Sequence, residues 1–593
     1  MTRGFLNVER SSTGRRWEAR LEDQRIAEAI SQRHELPDIL GRVLAARGVG
    51  IDEAEAFLNP TLRGLMPQPS TLRDMEKGAE RLADAVMRAE IIGIISDYDV
   101  DGVSSAAMLL LFLRAVGSTA IVHIPDRLTE GYGPSAQAVS DLKDQGSQIL
   151  VTLDCGVMAH DPLAHAAELG LVTIIVDHHQ TGETLPQAHA VINPNRQDDV
   201  SGFGYLCAAG VVMILIAAVN QQLRARGYYS EARPEPNMLQ WLELVALATV
   251  CDVVPLKGLN RAYVTQGLKI MGRRENVGLA ALADVARLKR QPDPYALGFV
   301  LGPRINAAGR IGNAALALKL LTIRDRGEAM NIAQELERLN RERQSIELGV
   351  VDQAQLQAEA AMGKEGRSPV LVVAGTGWHP GVVGLAAARL KERFGLPSFV
   401  LAQEKDGTLA SGSGRSITGV DLGTAVRAAF EAGIILKGGG HAMAAGLTVE
   451  MARLGDLRAF LDEQLAGQVA AAASRSLKID GALSAGGATL ELIELLEQAG
   501  PFGSGHPAPV FAFPAHRVIY ADKAGSDHIR CTLAAEDGKR IKAIAFRAMG
   551  TELGELLLAE RSFPLHIAGR LTIDDWGSSR VASIHIEDVA RVS

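Results

Sequence analysis

The stretch Ile91-Ile-Gly-Ile-Ile-Ser-Asp-Tyr-Asp-Val-Asp-Gly102 decides the fold of this chain. An apolar, largely β-branched run leads directly into Asp97, Asp99 and Asp101, and a helical pattern begins near Ser104. Short apolar runs of this composition are typical of buried parallel strands. In open α/β sheets, ligands bind beyond the carboxyl ends of the strands. We therefore expect the three carboxylates to face a ligand.

The ligand that this motif favours is a divalent cation. Like charges placed so close together repel one another unless a cation neutralises them. Hard oxygen ligands of this kind favour Mg²⁺ or Mn²⁺. The alternative for the motif alone is a polar turn that caps a helix.

Strands and helices alternate from residue 91 to about residue 195. The pattern predicts strands at 91–96, 121–124, 149–153, 171–176 and 190–193, with helices near 104–116, 135–144 and 157–169. Such alternation predicts a doubly wound, mainly parallel sheet. Two further apolar strands also end in acid or imidazole groups, one at Asp154 and the other at Asp177-His178-His179.

Asp252, at the end of an apolar helix predicted at 238–250, is the fourth member of this set. One aspartate after a strand is often a helix cap, and His179 alone is more typical of a satisfied core histidine. Three such strand ends together with Asp252 favour a binuclear metal site. Two divalent ions about 3.5–4 Å apart can clamp the attacking and leaving oxygens of a phosphoryl displacement. We expect Asp154 to bridge them and His179 to donate to the phosphoryl oxygens, which leaves His178 to ligate.

Length and composition restrict the class of protein. A chain of 593 residues suggests three or four domains. The net charge of −8 gives no general attraction to nucleic acid. We expect no membrane span and no signal peptide, because no long uninterrupted apolar window and no apolar N-terminal core occur. The four cysteines lack CxxC spacing, which favours a reducing cytoplasm over a zinc ribbon or a disulfide framework.

The second half of the chain changes pattern twice. A long helical pattern at 328–361 indicates a helix that links two lobes, and a second βα unit opens at 369–374 and returns at 398–402. Glycine-rich turns are expected at 411–414 and 438–440. Beyond a boundary at 467–478, alternating segments predict a small β-barrel. Its predicted strands lie near 508–513, 516–521, 528–534, 540–546, 563–571 and 580–587.

The motifs resemble those of the DHH phosphoesterase superfamily. They are Asp97-Tyr-Asp99-Val-Asp101-Gly102, Leu153-Asp154-Cys155-Gly156 and Asp177-His178-His179. Within that superfamily the chain is similar to the bacterial single-strand-specific exonucleases. The likeness continues through 301–310, 413–416, 438–446 and 501–507. It implies a DHH domain at 74–325, a linking helix at 326–364, a smaller DHHA1-like α/β domain at 365–470 and an OB-like barrel at 471–593, after an N-terminal helical segment at 1–73.

The resemblance also implies an activity and a ligand set. The activity is metal-dependent degradation of single-stranded DNA from the 5′ end, releasing mononucleotides, in recombination and repair. Two Mn²⁺ or Mg²⁺ ions would be held by Asp97, Asp99, Asp101, Asp154, His178 and Asp252. The catalytic groups would be Asp154, His179 and Asp101, with His179 facing the scissile phosphate. The implied partners are single-strand-binding protein and a helicase, and we expect a monomer.

Ser413, Gly414 and Arg415 are candidates for a pocket that holds the 5′-terminal phosphate. Glycine lets backbone N–H groups approach a phosphate, and a guanidinium offers it a bidentate partner. A glycine turn with a surface arginine is the alternative. Further candidates for contact with the DNA are Arg304, Asn306, Arg127, Tyr132 and His441. Salt bridging within the protein, or for His441 a surface histidine, explains these residues equally well.

Two other functions remain open from the residues. One keeps the metals but acts on pyrophosphate or short oligonucleotides, as other branches of the superfamily do, although those chains usually lack the barrel and the linking helix. The other is a catalytically dead DNA-binding scaffold. A dead scaffold predicts eroded ligands, whereas every acidic and imidazole position is filled here.

Overall fold

The computed structural model describes residues 3–127, 129–362, 368–472, 476–559, 563–574 and 580–592. Two compact units divide the chain. The larger is Leu62–Ala472, and the smaller combines Met1–Thr61 with Ala473–Ser593. The N-terminal part of the smaller unit contains β1 (Arg16–Ala19), α1 (Arg25–Arg33), α2 (Asp38–Ala45) and α3 (Ala54–Leu58).

The first lobe of the larger unit is built on a five-stranded parallel sheet of order β3-β2-β4-β5-β6. Its strands are β2 (Ile92–Ser96), β3 (Ala120–His123), β4 (Ile149–Leu153), β5 (Val172–Val176) and β6 (Ala190–Ile192). The chain leaves β2 for β3 on one side and returns to β4 on the other. The order therefore reverses between β2 and β4, which is where open α/β sheets bind ligands.

Helices cover both faces of this sheet, which confirms the predicted doubly wound fold. They are α5 (Met75–Met87), α6 (Val100–Ala115), α7 (Ala136–Asp144), α8 (His160–Glu168) and α9 (Ala208–Ala225), and the short α4 (Leu62–Leu65) precedes them in the chain. Side chains of α5, α6 and α9 share one core with Ile92 and Ile94. Those of α7 and α8 share another with Ile95 on the opposite face. This alternation along β2 is what a strand buried on both sides requires.

A helical layer completes the first lobe. It contains α10 (Leu242–Cys251), α11 (Gly258–Met271), α12 (Val277–Val285), a π-helical turn (Ala296–Leu301), α13 (Gly302–Ile311) and α14 (Ala315–Thr322). By length and composition α9 could cross a membrane, but 72% of it is buried inside the protein. It is therefore a core helix of this lobe.

The helix α15 (Arg326–Met362) is 37 residues long and joins the first lobe to the second. It packs against α12 and α13 of the first lobe. The predicted linking helix thus begins where expected, and residues 363–364 of that prediction lie outside the described residues.

The second lobe is a smaller α/β layer with strand order β10-β11-β9-β8-β7. Its elements are β7 (Leu371–Thr376), α16 (Pro380–Phe394), β8 (Ser398–Gln403), β9 (Leu409–Arg415), α17 (Leu422–Glu431), β10 (Lys437–His441), β11 (Ala444–Glu450) and α18 (Leu454–Ala472). Only β7 and β8 pair in parallel among these strands; the other pairings are antiparallel.

The predicted glycine-rich turns at 411–414 and 438–440 are wrong, because both stretches lie within strands, β9 and β10. The glycines of β9 are required because the neighbouring residues leave no room for a side chain. A Cβ at Gly412 would collide with the carbonyl oxygen of Val400, and one at Gly414 would collide with the ring of Phe399. These glycines let β9 lie close to its neighbours while it remains extended.

The C-terminal part of the smaller unit is the predicted barrel. It contains β12 (Ser476–Ile479), β13 (Gly481–Ala482), α19 (Leu490–Glu497), β14 (Phe511–Ala524), β15 (His528–Ala534), β16 (Arg540–Ala545), α20 (Glu552–Leu558), β17 (Leu565–Asp574) and β18 (Val581–Arg591). The strand order is β13-β14-β15-β16-β18-β17, and a second pairing of β14 with β17 closes the barrel.

The N-terminal residues differ from the separate helical segment expected at 1–73. The described residues up to Thr61 belong to the same compact unit as the barrel, and β1 pairs in parallel with β12. Trp17 of β1 is fully buried, and its indole Nε1–H donates to Asp588 of β18 over 3.0 Å. Arg47 forms a buried ion pair with Asp480 over 2.7 Å. A pairing between such distant parts of the chain leaves no local sequence signal.

Candidate metal centre and phosphate site

Three strand ends place acidic groups side by side at one edge of the first sheet. Asp97 follows β2, Asp154 follows β4 and Asp177 follows β5. The register aligns these strand ends, because Ser96 lies opposite Leu153 in β4 and Leu153 lies opposite Val176 in β5. Asp97 and Asp154 therefore flank the point at which the strand order reverses.

The loop after β2 is fixed by hydrogen bonds to backbone groups. Asp99 caps α6 by accepting from the N–H groups of Asp101 and Gly102 (2.9 and 3.1 Å). Asp101 is buried and accepts from the N–H groups of Ala208 and Ala209 at the start of α9 (2.7 and 2.8 Å). The helix-cap interpretation is thus correct for Asp99, but a cap uses only one of its carboxylate oxygens.

His178 lies at the centre of the acidic groups. Its Nε2 is 3.3 Å from an oxygen of Asp154, 3.6 Å from one of Asp252 and 3.8 Å from one of Asp101. Burial, and then the neighbouring His179, lower the pKa of His178 to about 4. The ring is therefore neutral at neutral pH, which is the form that binds metals.

The electrostatics of the carboxylates favour the binding of a cation. Burial and then the charge of Asp99 raise the pKa of Asp101 to about 7, and burial and then Asp101 raise that of Asp252 to about 9. Burial together with neighbouring carboxylates also raises the pKa values of Asp97 and Asp154. Ionising all of these groups together requires a compensating cation.

Unpartnered oxygens show where that cation fits. Within the described part of the chain, one buried oxygen each of Asp97, Asp154 and Asp252 has no hydrogen-bond partner. Buried polar atoms are rarely left in this state. The possible ligand atoms form three overlapping groups, each with all its atoms within 4.8 Å of one another. The groups are Asp97, Asp99 and Asp154; Asp101, His178 and Asp252; and Asp154, His178 and His179.

His179 is held in place by Asp177 rather than by the metal-binding groups. Its Nδ1 is 2.7 Å from Asp177, which also accepts the backbone N–H groups of His178 and His179. Burial lowers the pKa of His179, but this hydrogen bond and the charge of Asp177 outweigh it and raise the pKa to about 9. The imidazolium form is thus available as a donor at neutral pH.

Tyr132 joins the backbone of the metal site to this histidine. Its hydroxyl donates to the carbonyl oxygen of Asp154 over 3.0 Å and lies 3.3 Å from Nδ1 of His179. The sequence predicts that Tyr132 contacts DNA. In the structure its hydroxyl contacts Asp154 and His179 within the protein.

Three arginines gather where the two lobes meet within the larger unit. Arg415, at the end of β9, lies against α16, where a Cβ at Gly384 would be 2.9 Å from its Nη2. Arg310 donates to the carbonyl oxygen of Gly381 in the first turn of α16 over 3.0 Å. Arg127 lies over the ring of Tyr98, 5.2 Å from its centroid.

These arginines repel one another and lack acidic partners. Burial, and then Arg127, lower the pKa of Arg415. Burial, followed by the charges of Arg127, Arg343 and Arg415, lowers the pKa of Arg310 to about 10. None of Arg127, Arg310 and Arg415 forms an ion pair with another described residue. The arrangement suits an anion, and Ser413 and Gly414 precede Arg415 on the same strand.

The other candidates have mixed outcomes. Arg304 forms an ion pair with Glu337 over 2.7 Å, which is the salt-bridge alternative that the sequence left open. Asn306 accepts the backbone N–H of Val100 through its side-chain oxygen over 3.2 Å, so it positions the aspartate loop. His441 lies on β10 with much of its side chain accessible to solvent. Partial burial of the ring, and then the charges of Arg415 and His179, lower its pKa.

Arg310 is a candidate that sequence reasoning did not select. Arg310 ends the 301–310 motif, so the motif could have indicated it as a site residue. The sequence alone does not identify it, because an arginine within a helix commonly has other roles. The side chain of His379 caps α16 by accepting the backbone N–H of Gly381 over 3.0 Å.

Comparisons with known proteins agree with this arrangement. Family models match in three places: the DHH family N-terminal domain at residues 91–249, the DHHA1 domain at 367–467 and the RecJ OB domain at 479–588. The single-stranded-DNA-specific exonuclease RecJ of Salmonella typhimurium is 36% identical over 578 residues, covering 94% of this chain and 96% of that one. RecJ of Bacillus subtilis is 30% identical, covering 97% of this chain and 71% of that one.

A solved structure extends the likeness to three dimensions. The crystal structure of RecJ from Thermus thermophilus in complex with Mn²⁺ superimposes with a TM-score of 0.79 and 27% identity. The match covers 96% of this chain and 78% of that one. The structure of the same protein with Mg²⁺ matches with a TM-score of 0.72.

Proposed function

This chain belongs to the RecJ family of single-stranded-DNA-specific exonucleases, and we propose that it degrades single-stranded DNA from the 5′ end to mononucleotides, in recombination and repair. The chain is accordingly a metal-dependent DNA exonuclease. The observation that carries the proposal is the cluster of unpartnered carboxylate oxygens around His178, within the same compact unit as three unpaired arginines. One group fits cations and the other fits a phosphate.

The proposed metal content is two divalent ions, Mn²⁺ or Mg²⁺. Asp97, Asp99 and Asp154 would hold one ion, and Asp101, His178 and Asp252 would hold the other. A bridging role for Asp154 is supported because it belongs to the first group and also lies 3.3 Å from His178 of the second. When bound, such ions polarise a phosphoryl group and lower the pKa of water.

The remaining chemistry belongs to the side chains. Asp154 and Asp101 present carboxylates on a rigid backbone, which fixes the ligand positions before substrate arrives. His179, kept protonated by Asp177, donates to a non-bridging oxygen of the scissile phosphate and stabilises the negative charge that develops there. Tyr132 keeps Asp154 and His179 at a constant separation.

The 5′ polarity rests on the anion site. Ser413, Gly414, Arg415, Arg127 and Arg310 would hold the terminal phosphate. A strand anchored there exposes only its first internucleotide linkage to the metal centre, so each cleavage would release one mononucleotide. Arg304, Asn306 and His441 remain proposals for contact with the strand. Arg304 also forms its salt bridge with Glu337, and Asn306 also accepts the backbone N–H of Val100.

Activity on defined substrates separates this function from its alternatives. The assay compares single-stranded DNA labelled at its 5′ end, pyrophosphate and dinucleotides, each with Mn²⁺. We expect rapid release of labelled mononucleotide from the long strand. Faster turnover of pyrophosphate or dinucleotides would favour the phosphatase, and loss of all turnover would favour the dead scaffold.

The cellular setting is also part of the proposal. We place the protein in the cytoplasm, as a monomer that works with single-strand-binding protein and a helicase. The proposal of a reducing compartment rests on the four cysteines, which lack CxxC spacing. Sedimentation of the purified chain tests the monomer, and co-sedimentation with each partner tests the association.

A further inference from the structure

Two large aromatic side chains are exposed at a turn that packs against α10, the helix that leads to Asp252. Tyr295 is 65% exposed and Phe299 is 70% exposed. Their rings stack on each other, with centroids 5.0 Å apart and planes inclined by 23°. Isolated exposed aromatics are common, but two that stack on each other form a continuous apolar surface. We call Tyr295 and Phe299 the aromatic platform.

The aromatic platform is attached to the helix that carries Asp252. Phe299 lies within the π-helical turn (Ala296–Leu301), and Tyr295 directly precedes that turn, which packs against α10. The Cys251 thiol donates to the carbonyl oxygen of Leu297 over 3.4 Å, and a Cβ at Gly298 would be 3.4 Å from Val250. These contacts involve the two residues directly before Asp252, so the turn that carries the platform packs beside the end of the helix that leads to this candidate metal ligand.

The turn that carries the platform is held rigidly. π-Helical turns are rare and occur frequently at functional sites. Arg304 donates to the carbonyl oxygen of Val300 over 2.6 Å, while its ion pair with Glu337 fixes the guanidinium. The rings are therefore exposed on an ordered element of the first lobe.

The chemistry of the neighbouring site indicates which ligand would contact these rings. The metal centre and the three arginines take the phosphates of a single strand, but nothing in those groups takes the bases. Proteins that bind single strands stack successive bases on aromatic side chains, which tolerates any sequence because every base has a π-face. We propose that bases of the bound strand stack on Tyr295 and Phe299 as the strand reaches the metal centre. This inference rests on the proposed exonuclease function.

The test separates contact with bases from contact with the backbone. Binding of the full chain is measured by fluorescence anisotropy in EDTA, so that no cleavage occurs. The two probes are a 5′-phosphorylated oligothymidylate of about a dozen nucleotides and an abasic strand of equal length. We expect the double variant Tyr295→Ala/Phe299→Ala to bind oligothymidylate about tenfold more weakly. Its affinity for the abasic strand should stay within about twofold of the wild-type value.

Matched variants exclude a general loss of structure or of apolar surface. Phe430→Ala removes a half-exposed ring from α17 in the second lobe and should leave both affinities unchanged. Tyr295→Phe and Phe299→Tyr keep the rings and should retain wild-type binding. If the double variant loses affinity equally for both strands, or loses no affinity for oligothymidylate, the proposed base stacking is refuted.

The failure of this inference is distinguishable from the failure of the proposed function. Cleavage of single-stranded DNA by the wild-type chain with Mn²⁺ tests the function alone. If cleavage occurs and the double variant binds both strands like the wild type, the platform is refuted and the exonuclease remains.

Discussion

At the scale of single residues, Asp154 has the most demanding position in the site. It is buried, it lies beside His178, and its backbone adopts the left-handed conformation, with φ of 59°. Residues other than glycine seldom adopt this conformation, and such strained residues cluster at functional sites, where the surrounding structure compensates for the strain. The conformation turns the Asp154 carboxylate from the end of β4 towards the ligand atoms.

Replacement of Asp154 should separate activity from stability. Asparagine tolerates the left-handed conformation and keeps the shape of the side chain. We expect Asp154→Asn to lower the rate of DNA hydrolysis with Mn²⁺ on the order of a hundredfold or more. We also expect it to raise the melting temperature of the metal-free protein at neutral pH, because burial and the neighbouring carboxylates raise the pKa of Asp154 and asparagine removes the cost of this shifted ionisation. Near-normal turnover would refute the bridging role.

The titration of the site predicts how the stability of the metal-free protein depends on pH. Asp101, Asp252 and His179 all have pKa values in the folded state above their ordinary ones, at about 7, 9 and 9. Between about pH 6.5 and 9 the folded state therefore binds more protons than the unfolded state, so the free energy of unfolding falls as pH rises. His178, with its lowered pKa, opposes this trend only below about pH 6.5.

Thermal unfolding in EDTA from about pH 6.5 to 9 measures this slope. The melting temperature should fall with rising pH, and saturating Mn²⁺ should flatten or reverse the slope because the ions favour the ionised carboxylates. In Asp252→Asn the slope without metal should be smaller. A melting temperature that rises with pH in EDTA would contradict this protonation of the site.

Arg415 should decide how the enzyme treats the end of the strand. A charged hydrogen bond to phosphate is worth about 1.5–3 kcal/mol, or roughly ten- to hundredfold in affinity. We expect Arg415→Ala to weaken binding of 5′-phosphorylated strands by this factor and to leave 5′-hydroxyl strands nearly unchanged. Arg427→Ala, on the exposed side of α17, is the matched control. An unchanged preference would remove Arg415 from the phosphate site.

At the scale of elements, β9 depends on its glycines for close packing. It is the central strand of the second lobe, lying between β8 and β11, and it ends in Arg415. A Cβ at Gly412 collides with backbone atoms of β8, whereas a Cβ at Gly446 of β11 would have its nearest neighbour at 3.6 Å. The position of the arginine thus depends on glycines in the same strand.

Alanine substitutions test this packing directly. Gly412→Ala should destabilise the protein by about 1–3 kcal/mol, because overpacking against backbone atoms cannot be relieved by a change of rotamer. Gly446→Ala should change stability by less than about 1 kcal/mol. Chemical denaturation of the two variants measures the difference, and equal effects would mean that β9 has room for a side chain.

The elements that the sequence predicted well are those with a strong local pattern. The apolar runs at 91–96 and 149–153 have the composition of buried strands, and parallel strands end at the same edge, so Asp97 and Asp154 were expected together. Glycine-rich stretches are harder to predict from the sequence. Glycine commonly marks a turn, and only the neighbouring strand reveals that 411–414 is extended because a side chain does not fit.

At the scale of the whole molecule, the least predictable features are contacts between distant parts of the chain. Trp17 and Asp588 meet in the smaller unit from opposite ends of the sequence, and no periodicity in either segment indicates the other. The approach of Arg310 to the first turn of α16 is equally invisible, since the two segments belong to different lobes. The clustering of acidic and imidazole groups was predictable because one sheet brings most of them together.

The measurement that tests the central claim most directly is anomalous diffraction from crystals of this protein grown with Mn²⁺. We predict two manganese peaks, one among Asp97, Asp99 and Asp154 and one among Asp101, His178 and Asp252, with Asp154 in contact with both ions. Manganese bound only elsewhere, or no peak within coordination distance of Asp154 and His178, would contradict the account.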